Sequence, residues 1–265
     1  MKDILVFVNF TEASAQAVKQ ASSFAKLHEG KLHLCHVSQG DHDIEVEKKL
    51  SEYAEEVKEQ GAEVSILPVK GEFFAEAPAI TKRIAPDVII IGSVGEEGVS
   101  IGHFGSAVYR LVRLLPAPSL IVQGNSPLAE NGYRKAMFPL SAHSNFVKVV
   151  KSLKHVMAAD GKVTLFDVSV NGAQPDKTLA ANATAAQDEM DRLGIPWSLK
   201  RFNVSKAPSG YADIILEETE KEGMDLIAMP ADIAMRSLHF GKMDKESLII
   251  NVQGVPVLCL NTDMD

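Results

Sequence analysis

The chain has 265 residues, of which 46% are hydrophobic and 23% charged, and its formal net charge is −8. That length fits two modest domains with full cores, and no apolar run reaches the roughly 20 residues that a membrane span needs. An acidic balance without a basic cluster argues against nucleic acid or an anionic membrane surface as a partner.

The N-terminal run MKDILVFVNF reads as a short strand, Ile4–Val8, followed by polar residues. It lacks the apolar core and small-residue cleavage site of a secretory signal, so a soluble cytoplasmic protein is expected. Asn9 and Thr11 come next. They either cap the first helix or face a ligand, Asn9 being able to donate and accept hydrogen bonds. Further strands are expected at Leu32–Val37, Glu63–Pro68, Val88–Ile91 and Ser119–Val122, alternating with four helical stretches. These runs are almost continuously apolar, as parallel strands covered on both faces are. Cys35 and Cys259 lie in such runs outside any CxxC pair, which makes buried thiols the default. His33 and His36 point to opposite faces of the second strand and read as satisfied strand histidines. Asp41-His42-Asp43 reads as a solvated turn rather than a metal site. The acidic stretches Glu45–Glu59 and Glu217–Glu222 read as solvated helix faces.

The run Asp87–Ser106, DVIIIGSVGEEGVSIGHFGS, is the most informative. A buried strand ends in Gly92-x2-Gly95-x9-Gly105-Ser106, and a helical pattern, Ala107–Leu115, follows directly. Glycines at a strand's carboxyl end let backbone N–H groups turn toward an anion without Cβ crowding. The first amides of the next helix add donors that lack intrahelical partners. Together these make a phosphate cradle; the alternative is that the glycines only supply tight turns. There is no GxxxxGK[ST] loop, no SGGxDS-type loop and no Ser/His/Asp motif. The expectation is a protein that is not an enzyme, with at most slow incidental ATP hydrolysis.

The stretch Gly124–Arg134, rich in Gly, Asn, Ser and Pro, reads as a linker with a boundary near Asn131. Beyond it the pattern repeats. EGKLHLCHVS (from Glu29) matches DGKVTLFDVS (from Asp160), DVIIIGS (from Asp87) matches DLIAMPA (from Asp225), and PSLIV (from Pro118) matches PVLCL (from Pro256). The order is kept and the spacing drifts by a few residues, as loop insertions cause. Second-half strands are expected at Ala136–Leu140, Val163–Val168, Trp197–Phe202, Leu226–Met229 and Val257–Leu260. Phe146, Val149, Val150, Leu153, Val156 and Met157 share one helical face. Gly30 and Gly161 stand where each first helix should end, the position favoured for a left-handed cap. The fold class is therefore α/β: two tandem doubly wound, Rossmann-like domains, residues 1–126 and 132–265, each with a five-stranded parallel sheet of order 3-2-1-4-5.

ILVFVNFTEAS at strand one, His36-Val37 at the end of strand two and the spaced glycine motif, set in two tandem copies, resemble a tandem universal stress protein over essentially the whole chain. The resemblance implies that the N-terminal domain binds an adenine nucleotide (ATP, ADP or AMP), with Mg an option. Gly92, Gly95, Gly105 and Ser106 would hold phosphates and ribose, Val37 would contact adenine, and Asn9 stands where that family has Asp. Glu96 and Glu97 would point to solvent. The second half departs from the motif, with Pro230 for Gly92, Ile233 for Gly95, Met243-Asp244 for Gly105-Ser106 and Ser141 for Asn9. Proline removes an N–H, Ile233 resists a left-handed turn, and Asp244 suits its own helix as an N-cap. No nucleotide is expected there. Family members pair through the final strand, which implies an intramolecular pseudo-dimer of the two domains, with a homodimer of tandem chains a further option. The implied role is a stress-response regulator or interaction module; the alternative is an interaction module that binds no nucleotide.

Overall fold

The computed structural model describes residues 1–40, 44–93, 104–206, 208, 210–232 and 242–263, the side chains of 104–106 excepted. The first half runs β1 (Asp3–Phe7), α1 (Glu12–His28), β2 (Lys31–Ser38), α2 (Ile44–Glu59), β3 (Glu63–Lys70), α3 (Phe73–Ile84), β4 (Val88–Ser93), α4 (Phe104–Leu114) and β5 (Ser119–Gln123). The second runs β6 (Tyr133–Pro139), α5 (Val147–Leu153), β7 (Met157–Val170), α6 (Lys177–Leu193), β8 (Trp197–Val204), α7 (Ala212–Lys221), β9 (Leu226–Pro230), α8 (Lys242–Ile249) and β10 (Val257–Leu260).

All ten strands form one sheet, β3-β2-β1-β4-β5-β10-β9-β6-β7-β8. Each half has the expected 3-2-1-4-5 order with parallel neighbours, and β5 meets β10 antiparallel, Leu120 opposite Leu258. The two apolar final strands thus satisfy each other's edge. Alternation along the strands sends side chains to two layers. Ile4 and Val6 belong to one layer, with Phe24 of α1, Leu50 of α2, Val149 of α5 and Met190 of α6. Leu5 and Phe7 belong to the other layer, with Ile80 of α3, Leu111 of α4, Ile215 of α7 and Leu248 of α8. Both cores run through both halves. No described helix is long and apolar enough to cross a membrane.

Several local expectations change. The helix predicted to continue to Met157 stops at Leu153, and β7 begins at Met157. Val156 and Met157 are buried all the same, because Val156 has already turned to the sheet, its carbonyl accepting from the Tyr133 N–H at 2.9 Å. Neither Gly30 nor Gly161 is a left-handed cap. Glu29, at φ 52°, caps α1, while Gly161 lies inside β7. Both glycines instead allow close backbone approach. A Cβ on Gly30 would sit 3.0 Å from the Met1 carbonyl oxygen, and one on Gly161 2.9 Å from the Tyr133 carbonyl oxygen. The predicted linker is packed down. Ala129 exchanges two hydrogen bonds with the buried Gln20 side chain (2.9 and 3.2 Å), and Ser126 Oγ donates to the Gly254 carbonyl at 2.7 Å.

Of the two acidic stretches, Glu217–Glu222 is not wholly a solvated face. Glu218 is buried and takes Lys200 at 2.5 Å and Lys221 at 3.0 Å. Both cysteines are buried, and burial pushes each thiol up to about 12, so neither is a nucleophile near neutral pH. His33 bridges Asp3 and Ser65 across three strands at 2.8 Å each, the satisfied state expected of it. Asp41-His42-Asp43 lies outside the described residues.

Candidate ligand crevice

Because β1 and β4 are neighbours, their carboxyl ends open into one crevice, at the point where the winding of the sheet reverses. A cavity of about 290 Å³ lies there, lined by Phe7, Val8, Asn9, His36, Val37, Phe73, Phe74, Ile91, Gly92, Ala107, Val108 and Leu111. Three of the six predicted site residues, Asn9, Val37 and Gly92, therefore share it. Gly105 and Ser106 lie in the first turn of α4, which begins earlier than the predicted Ala107. Gly95, Glu96 and Glu97 lie outside the described residues.

The loop after β1 is tightly organised. Asn9 Oδ1 accepts from the Thr11 hydroxyl (2.7 Å) and from its N–H (3.3 Å). Thr11 caps α1 by accepting from the Ser14 N–H at 3.2 Å. The acceptor of Asn9 is thus engaged within the loop, and the capping reading of Thr11 holds. Between them Phe10 adopts φ 62°, uncommon for a bulky residue. Ring contacts hold it there, with His36 at 4.9 Å and Tyr53 at 6.2 Å between centroids. His36 Nδ1 donates to the Val8 carbonyl at 2.7 Å.

Gly92 has a structural reason to be glycine. A Cβ there would fall 2.5 Å from the Ser14 nitrogen and closer still to the Ala13 carbonyl. Its bareness admits the first turn of α1 to the end of β4. The sequence reading missed Phe73 and Phe74, which begin α3 behind the N-cap Glu72. Phe73 meets Phe7 edge-on at 5.3 Å, and the Arg110 guanidinium lies 4.4 Å from the Phe74 ring centre. The GEFF run after the third strand was the available cue. The crevice can receive a flat, apolar group beside a helix N-terminus whose amides favour negative charge.

The Universal stress protein family profile matches residues 1–123. Residues 1–123 belong to that family. A universal stress protein of Synechocystis is 24% identical over 174 residues, 65% of this chain and 57% of that protein, so the chain spans less than two thirds of that relative. The solved universal stress protein of Archaeoglobus fulgidus superposes with a TM-score of 0.70 at 16% identity, covering 98% of each chain. A functionally unknown Pseudomonas aeruginosa protein superposes at 0.61, with 15% identity over 98% of this chain and 92% of that one. At such identities the superpositions establish the fold.

Against this universal stress protein half, the second half fills the corresponding end of its crevice. Pro230 closes β9, and α5 starts eight residues after β6 ends. Lys245 of α8 is buried and reaches the Asp232 carbonyl, with its Nζ 2.8 Å from His143 Nε2. His143 Nδ1 meets Ser141 Oγ at 2.8 Å. Asp232 Oδ1 accepts from the Thr262 hydroxyl and N–H at 2.8 and 2.9 Å. Burial pulls Lys245 down to about 8, and burial together with the Lys245 charge pulls His143 down to about 4. Asp244 is the third residue of α8 rather than the residue before it. Its Oδ1 accepts from Tyr211 N and Ala212 N at 2.6 and 3.0 Å, serving the start of α7. Ile233 lies outside the described residues.

Proposed function

We propose that the first-half crevice binds an adenine nucleotide and that occupancy changes the association of this protein with a partner. The carrying observation is the cavity at the β1/β4 ends, where Asn9, Val37 and Gly92 meet beside α4. Its aromatic wall of Phe73, Phe74 and His36 suits a purine, and the first turn of α4, with Gly105 and Ser106, suits phosphate. The second half, its phosphate end closed by Pro230, Lys245 and Asp232, acts as a built-in partner, the β5–β10 seam making an intramolecular pseudo-dimer. In this reading the protein is a binder rather than an enzyme.

Equilibrium binding of labelled ATP, with and without Mg, tests the reading. Wild type is expected to bind at one site per chain and Gly105→Val at least roughly 100-fold more weakly. Equal, negligible binding by both would favour a second reading, an interaction module without nucleotide. Two contacts favour that alternative: Asn9 spends its acceptor on Thr11, and Gly92 is explained by α1.

A further inference from the structure

The second-half crevice is closed at its phosphate end but not elsewhere. A cavity of about 360 Å³ lies between the ends of β6 and β7 and the starts of α6 and α7. Its walls are largely apolar, with Leu140, Val168, Val170, Leu179 and Tyr211 among them. That volume and character suit a small organic molecule. Its polar lining is acidic, with Asp167 and Asp176.

Asp167 is the informative residue. In the aligned repeats it stands where the first half has His36. It is only 5% exposed, and its Oδ2 accepts from Arg201 Nε at 2.8 Å. Among the described residues nothing donates to its Oδ1. That oxygen, on the cavity wall, is left to accept from whatever enters the cavity, water or a ligand's donor. Arg201 is already shared, since its Nη1 also donates to Gln174 Oε1 at 3.3 Å. Asp176 occupies the N-terminus of α6, its Oδ1 accepting from Leu179 N at 2.9 Å, so an anion gains nothing there. The lining therefore disfavours negative charge and offers an acceptor to a cation.

We propose that this cavity is a second ligand site, selective for a small organic amine with an apolar body whose ammonium donates to Asp167. The site is independent of nucleotide binding in the first half. Titration calorimetry on the full chain with 2-phenylethylamine, 2-phenylethanol and 3-phenylpropionate tests it, since the three probes share a body and differ in charge. The amine is expected to bind saturably, the alcohol about tenfold more weakly and the carboxylate not measurably. Asp167→Asn should weaken the amine to the level of the alcohol. Arg201→Gln, which leaves the carboxylate in place, should bind the amine at least as tightly as wild type, and Ala173→Trp should exclude all three probes. Excess ATP should displace nothing. Equal binding of amine and alcohol, unchanged affinity in Asp167→Asn, or no binding of any probe would overturn the proposal.

Discussion

Gly92→Ala is expected to destabilise the fold by about 3 kcal/mol or more, measured as a fall in the urea midpoint at unchanged slope. The added methyl would meet backbone, the Ala13 carbonyl and the Ser14 nitrogen, which cannot swing aside as a side-chain tip can. To relieve the overlap, α1 must lift from β4. That movement exposes Ala17 and Ala21 of α1, both fully buried on its inner face, and breaks the Asn9–Thr11 turn that shapes the crevice. Gly40→Ala is the matching control, because a Cβ there meets nothing within 4 Å, and its midpoint should barely move. A small effect of Gly92→Ala would mean that this glycine is kept for ligand approach alone.

Acidification is expected to remove about 3 kcal/mol of stability through His143 between pH 6.5 and pH 4. Burial, reinforced by the neighbouring Lys245, lowers His143 from 6.5 to about 4 in the folded chain. Between those values the unfolded chain takes up a proton that the folded chain refuses. The stabilisation is complete above pH 6.5, shrinks as pH falls and is gone below about 4. His155 is also held down to about 4 by burial, but its ring is only partly buried, so solvent screening reduces its share. Urea denaturation across pH 7 to 4 on wild type and His143→Gln isolates the His143 contribution as the difference in slope. Parallel profiles would show that this cluster does not hold a neutral imidazole.

The strands and their order were legible because their information is local and repeated. Runs such as VIII and LIAM can only be buried, and the alternation with helical stretches fixes right-handed parallel winding. What failed was everything set by a partner distant in sequence. Gly30 follows α1 and Gly161 lies inside β7, and the backbone atoms that crowd them include the Met1 and Tyr133 carbonyls, from other parts of the chain. Asp244 has the composition of a cap, yet the amides it satisfies belong to α7. Glu218 looks solvated in its acidic run until Lys200 arrives from β8. The crevice was legible where spacing carried it, at Asn9, Val37 and Gly92. Its aromatic wall was not, because Phe73 and Phe74 reach it through the packing of α3.

The meeting of β5 with β10 has a consequence for how the two copies can change. Joined in one polypeptide, they face each other at a fixed effective concentration, so dilution does not loosen that junction. A separate subunit would copy every substitution onto both sides of its twofold axis. Here a proline at 230 or a lysine at 245 alters one pocket and leaves its counterpart untouched, so each half can change without the other.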